Sequence, residues 1–301
     1  MKFAELRYSK DPYDILEGRF IKRLPDTLKD IYIRQKCPCK YEEIEINGGL
    51  GYTVTLPLSK NDLNKRRYDC KKIITRTADF LKEKDVGIVV APGIDFDIGL
   101  RISEGRAIMA IFILPVIKKI LKDRGKSLKD AEILIMGKSD FLTKLVIDSL
   151  YSGVNFLSVY TDNENTFFEL AEEIENDVGL NMNIFSEKKN SAIRGADVII
   201  NTGMPFQNIF KKGSSYIELG KNKSHAKKLS LKRSDMFFID SFNMLISGKT
   251  YGKELFEAYA YSQFAEFSRF LNNEYDRSRA LYILDFFNAF DIKITSCGFL
   301  G

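Results

Sequence analysis

Residues 131–144 read AEILIMGKSDFLTK. A short apolar run bounded by a glycine fits a strand buried on both faces. The residues after it, FLTKLVIDSL, have the three- and four-residue apolar spacing of a helix. Strand, glycine turn and helix N-terminus, in that order, form the place where a doubly wound α/β sheet holds a phosphate. Here the loop offers one glycine, Gly137, followed by Lys138, Ser139 and Asp140, with Thr143 three residues further on. Two readings stay open. In one, Gly137, Lys138 and Ser139 face a pyrophosphate, with the lysine and hydroxyl offsetting the acid. In the other, Ser139 or Asp140 caps the helix and no dinucleotide is held.

The rhythm continues downstream. NFLSVYT reads as a strand, NTFFELAEEIEND as a helix, NMNIFS as a short strand, and SAIRGADVIINTG as a short helix and a strand. SSYIELG and MFFID are two further strands. Alternating helices and apolar strands predict a Rossmann-like parallel sheet covered on both faces, over residues 120–240. Its second strand ends at Asp162, 25 residues beyond Gly137. An acid near that spacing accepts hydrogen bonds from an adenosine ribose and repels a 2′-phosphate, which favours NAD over NADP. A helix cap is the other reading of Asp162. In ADVIINTGMP, Asn201, Thr202 and Gly203 fall where small residues let a nicotinamide ring approach.

Upstream, the pattern is mixed as far as residue 40. YEEIEINGGLGYTVTLPLS reads as a hairpin turning at Asn47-Gly48-Gly49. Residues 60–85 have helical spacing, VGIVVAP is a short buried strand, and a long helix over 103–124 is kinked near Pro115. The last sixty residues read as helices, about 253–272 and 275–290, that return to the first lobe. The expected layout is therefore an α/β lobe of residues 1–119 with 241–301, and a Rossmann-like lobe of 120–240. A cleft between two such lobes is a usual ligand site.

The bulk numbers exclude several classes. The chain has 301 residues, 45% hydrophobic, with 46 Lys plus Arg against 41 Asp plus Glu. A net charge of +5 is too mild for nucleic-acid binding. The longest apolar run, Ala107–Ile117, is far short of the ~20 residues that cross a bilayer. Four cysteines in 301 residues are not a disulfide framework, which fits the cytoplasm. Cys37 and Cys39 have no second pair, and the one histidine, His225, is distant in sequence, so no metal site is expected. The basic stretch 221–233, KNKSHAKKLSLKR, reads as a solvated face. The aromatic C-terminal helices make a homodimer plausible.

Several islands, in order, resemble the shikimate and quinate dehydrogenase superfamily. GYTVTLPLSK at 51–60 resembles its Gly-x-Asn-Val-Thr-x-Pro-x-Lys stretch, and IDFDIGL at 94–100 its Asn-Thr-Asp-Gly-x-Gly stretch. ADVIINTG resembles its Ala-Asp-x-Ile-x-Asn-x-Thr, and SFNMLIS at 241–247 its late Met-Leu stretch. The resemblance implies hydride transfer between a nicotinamide cofactor and a small polar hydroxy- or keto-acid-like substrate. It also implies Lys60 and Asp97 for proton transfer, with Thr55 and Met244 lining the substrate side. LFEAYAYSQFAEF at 255–267 is similar to the reactive helix of a sister group, the long-chain acyl-carrier-protein reductases. Ala258 stands at its cysteine position, which argues against thioester reduction. Thr53 replaces the asparagine of Asn-Val-Thr, the loop at Gly137 is poor in glycine, and strict register puts Ser59 on the lysine position. These departures support the alternative: a non-catalytic binding or partner protein on a Rossmann scaffold with a degenerate cofactor loop.

Overall fold

The computed structural model describes residues 1–301 except 38, 65–67, 188–190, 206–208, 222, 247, 290–292, 300 and 301. The chain divides into two units, Met1–Gly105 with Glu254–Ser268, and Arg106–Lys253 with Arg269–Gly301.

The first unit begins with β1 (Lys2–Tyr8), followed by the short helices α1 (Arg19–Lys22) and α2 (Asp26–Lys36). The expected hairpin is β2 (Lys40–Ile46) and β3 (Gly49–Leu56), paired antiparallel. Its turn residues Asn47 and Gly48 have φ of 46° and 82°, the two positive values that a tight type I′ turn requires. Next come α3 (Lys60–Asn64), α4 (Tyr68–Glu83), β4 (Val86–Val90) and β5 (Arg101–Ile102). The sheet order is β2-β3-β1-β4-β5, parallel except at β2. β1 lies where the sequence pattern is mixed. Lys2, Glu5 and Arg7 interrupt its apolar run, yet Phe3, Ala4 and Leu6 are buried. Ala4, Leu6, Val54 and Leu56 form one core with Ile73, Ile74, Ala78 and Leu81 of α4. Strand alternation puts Phe3, Glu5, Arg7, Thr53 and Thr55 on the opposite face.

The second unit opens with α5 (Arg106–Ile111) and α6 (Ile113–Asp123). The single helix expected over 103–124 is therefore two, broken at Phe112. Pro115 lacks an N–H and its ring crowds the carbonyl four residues earlier, so the break falls one turn upstream of it. Then follow β6 (Glu132–Met136), α7 (Phe141–Leu150), β7 (Phe156–Tyr160), α8 (Phe168–Val178), β8 (Asn183–Phe185), α9 (Ser191–Gly195), β9 (Val198–Asn201), β10 (Ser215–Glu218), α10 (Ser224–Ser230), β11 (Phe237–Ile246) and β12 (Lys249–Gly252). The order β8-β7-β6-β9-β10-β11, parallel throughout, is the doubly wound arrangement. Its switch point, where connections diverge, lies between β6 and β9. The central strands β9 and β10 are buried end to end and β6 at all but its first residue, as a sheet covered on both faces requires.

The C-terminal region departs from expectation. α11 (Lys253–Gln263) and α12 (Ala265–Asn272) are separate helices, α13 (Arg277–Asn288) follows, and the chain ends in a strand, β13 (Lys293–Phe299). β13 pairs antiparallel with β11, extending the second sheet. Only Glu254–Ser268 joins the first unit. There α11 meets the amino end of the sheet: the Phe3 and Tyr259 rings stack edge-on at 6.3 Å, and Gly49 leaves a Cβ only 2.7 Å from Tyr259. Residues 106–119 and α13, expected in the first lobe, belong to the second because α5, α6 and α13 all pack on α7. SFNMLIS falls largely within β11, where Met244 is fully buried between two antiparallel neighbours, so it lines no open surface of this unit.

Candidate functional site

In the second unit Gly137 directly follows β6 at the switch point, as the strand-glycine-helix reading expects. A Cβ there would lie 2.2 Å from Thr202 Oγ1 and 2.3 Å from Thr143 Oγ1, so no side chain fits without displacing both threonines. Those two hydroxyls, 59 residues apart, are 2.7 Å from each other. Thr202 also donates to the Met136 carbonyl at 3.2 Å. The threonines thus tie the start of α7 to the end of β9.

Asp140 is the N-cap of α7. Its Oδ1 accepts from Thr143 N at 2.9 Å and from Thr143 Oγ1 at 2.8 Å. Of the two candidates for the cap, the aspartate is the one used. Phe141 and Leu142 occupy the next two positions, whose N–H groups have no intrahelical acceptor. Lys138 and Ser139 are exposed beside them. Lys138 Nζ lies 3.7 Å from Asp162 Oδ2, both groups more than half exposed. The structure therefore gathers Gly137, Lys138, Asp162 and Thr202 at one sheet edge.

Asn201 is turned inward. Its Oδ1 accepts from Gly203 N and Met204 N at 3.1 and 2.9 Å, an Asx turn. Its amide donates to the Met204 carbonyl at 3.1 Å, Tyr216 Oη at 2.8 Å and Glu218 Oε2 at 3.4 Å. Asn201 shapes the turn, and Gly203, at φ 148°, is the exposed member of the trio. Glu218, which the sequence reading passed over, is 1% exposed, and burial pushes its carboxyl up from the usual range. The available signal was an acid ending an otherwise apolar strand.

In the first unit the proton-transfer candidates, Lys60 and Asp97, lie past the carboxyl ends of β3 and β4. Lys60 is the first residue of α3; its side chain lies outside the described residues. Ser59 and Asp62 cap that helix reciprocally: Asp62 N donates to Ser59 Oγ at 3.3 Å, while Ser59 N donates to Asp62 Oδ2 at 3.0 Å. Asp97 is exposed in the loop after β4 and accepts from Gly99 N at 2.7 Å. Thr55 is half-buried on β3, and Thr53 two residues before it is 5% exposed with no hydrogen-bond partner for its hydroxyl. An unpaired buried hydroxyl is uncommon and costs roughly 1–3 kcal/mol. Nearby, Glu5, Arg7, Tyr8, Ser9, Lys10, Ser59, Asn61 and Pro92 line an open concavity of about 520 Å³ at the carboxyl edge of the sheet. Arg7 pairs with Glu5 at 2.6 Å.

The basic stretch forms α10 and its flanks, with Lys223 paired to Asp240 at 3.0 Å and Arg233 to Asp235 at 2.7 Å. No helix among the described residues is long and apolar enough to cross a membrane, and no group of three metal-ligating side chains occurs among them.

The cap and the site compete for the same helix end, and magnitudes decide between them. A side-chain cap is worth ~1 kcal/mol, while micromolar binding corresponds to about 8 kcal/mol. The cap would therefore weaken a dinucleotide bound there without barring it. Its charge matters more, because an anion about 4 Å away repels by ~4 kcal/mol near a protein surface, partly offset by Lys138. Asp140→Asn keeps the cap and removes the charge. Expected is about tenfold tighter NADH binding, measured by fluorescence titration, with an unfolding temperature near that of the wild type.

No protein-family model matches the chain, and no curated protein matches it. Among solved structures it is similar to L-tryptophan dehydrogenase from Nostoc punctiforme, with 14% identity over 94% of this chain and 78% of that one, at a TM-score of 0.37. It is also similar to shikimate 5-dehydrogenase from Listeria monocytogenes in complex with shikimate and NAD, with 10% identity over 94% and 96% of the two chains, at a TM-score of 0.34. A third similarity is to Δ1-pyrroline-2-carboxylate reductase of Thermococcus litoralis in complex with NADH and L-proline, at 16% identity and a TM-score of 0.31. The chain spans about two fifths of that reductase, 41% of its length. These likenesses are low, and the architecture of the second unit rests on its own strand order and on the glycine at its switch point.

Proposed function

We propose that the chain is a nicotinamide-dependent oxidoreductase acting on a small polar acid. One observation carries the reading: a doubly wound sheet whose first strand ends in a glycine with no room for a side chain, at the switch point. The N–H groups of Phe141 and Leu142, with Lys138 and Ser139, would hold the pyrophosphate. Asp162 would hold the adenosine ribose and favour NAD over NADP. Thr202 and Gly203 would border the nicotinamide. The bound nicotinamide would supply or accept the hydride. On the first unit, Arg7 and Lys10 line the concavity and suit a substrate carboxylate, and Thr55 would line the substrate side. Asp97 and Lys60 would exchange the proton with the substrate oxygen.

The test is NADH or NADPH oxidation followed by absorbance over a panel of small keto acids. With an active substrate in hand, Asp97→Asn is expected to lower kcat by about a hundredfold or more and leave the NADH Kd within twofold. A parallel loss of both would remove Asp97 from the proton-transfer role. The second reading, a non-catalytic binder, is favoured by the Asp140 carboxylate at the helix end. It predicts no turnover with any panel member and no dinucleotide binding by Asp140→Asn.

A further inference from the structure

We infer that Glu218 is a positioning residue, tying the turn of residues 201–204 to the end of β10 and so setting where Thr202 and Gly203 stand. The inference builds on the dinucleotide reading of this unit. Glu218 Oε1 accepts from Gly220 N at 2.7 Å, and Oε2 receives Tyr216 Oη at 3.1 Å and the Asn201 amide at 3.4 Å. Asn201 in turn shapes the turn that follows β9. The two turns touch: a Cβ on Gly220 would lie 3.5 Å from the Gly203 Cα and 2.7 Å from Glu218 Oε1. One carboxyl group thus joins three segments, at the ends of two adjacent parallel strands that the proposed nicotinamide would border.

The charged and titratable groups around it are few. Tyr216 faces it from its own strand, Lys223 lies near it at the start of α10, and the Arg106 guanidinium binds the neighbouring Leu219 carbonyl at 2.6 Å. Lys223 is itself committed to Asp240. Burial is the largest influence and favours the protonated acid. The sign follows from linkage. A carboxyl whose folded pKa is raised contributes stability fully below its unfolded pKa, and that contribution is lost as pH rises through the folded one. Glutamine keeps the shape and an acceptor for Gly220 N, with no proton to lose. Leucine keeps only the bulk.

The experiment uses the full chain with Glu218→Gln and Glu218→Leu. Amide hydrogen exchange over residues 198–204, thermal unfolding between pH 5 and 9, and NADH titration are measured. The expected results are wild-type exchange and NADH affinity within twofold in Glu218→Gln, and at least tenfold faster exchange and tenfold weaker NADH in Glu218→Leu. Wild type should also lose more of its unfolding temperature than Glu218→Gln as pH rises. Unchanged exchange in Glu218→Leu, or equal pH slopes for wild type and Glu218→Gln, would overturn the inference. If wild type fails to bind NADH, the dinucleotide reading falls, and the exchange and pH results alone decide the role of Glu218.

Discussion

Arg277→Ala is expected to lower the free energy of unfolding by about 3–5 kcal/mol at neutral pH. The arginine holds a carboxylate that cannot reach water. Asp148 sits on α7 with a fully buried side chain, and it accepts from Arg277 Nε at 3.1 Å and from the Tyr275 hydroxyl. The same guanidinium donates to Glu173 at 2.7 Å and Asp177 at 3.0 Å on α8, and lies over the Tyr151 ring at 5.3 Å. Removing it strands the Asp148 charge in the interior while loosening α13 from both helices. Most of the loss comes from the stranded charge, since exposed pairs such as those with Glu173 and Asp177 contribute ~0–1 kcal/mol each. The pH dependence checks this attribution. Burial already pushes the Asp148 carboxyl up, and without its partner it would protonate more readily still. The deficit should therefore shrink as pH falls through the titration of the variant's Asp148 and widen as pH rises through it. Urea unfolding of wild type and variant at several pH values measures it. A deficit that does not change with pH would assign the effect to lost packing instead.

Gly137→Asp is expected to weaken NADH binding at least a hundredfold, by fluorescence titration, while the chain remains folded by circular dichroism. The new Cβ alone would press within 2.3 Å of both threonine hydroxyls, so the bond between them must open and the end of β9 must move. The added carboxylate then joins Asp140 at the same helix end. Two anions there oppose a pyrophosphate by several kcal/mol even at a well-solvated surface. Retained affinity in a folded Gly137→Asp would place any dinucleotide elsewhere on the chain.

What could be read in advance, and what could not, follows from the range of each signal. Gly137 and the strands around it were legible because apolar strands bounded by turns are a local pattern. The hairpin at Asn47-Gly48 was legible for the same reason. The Thr143–Thr202 contact joins residues 59 positions apart, and nothing in either segment announces the other. Asp148 looks like a solvated acid on an amphipathic helix; only its distant partners, Tyr275 and Arg277, make it an interior one. β1 and β13 were missed because lysine, glutamate and arginine break the apolar run of the first, and the second follows a helix with little alternation of its own. For the cap of this helix the sequence left Ser139 and Asp140 open, and local geometry decides between them: the first helical turn needs an acceptor, and the aspartate is within reach of Thr143 N.

On the proposed function, the turn after β6 receives a nicotinamide dinucleotide. Isothermal titration of the unmodified chain with NAD, NADH, NADP and NADPH tests it most directly. The expected result is one-to-one binding of at least one reduced form, with NADH bound more tightly than NADPH. No heat with any of the four, from a chain shown to be folded, would contradict it and leave only the scaffold.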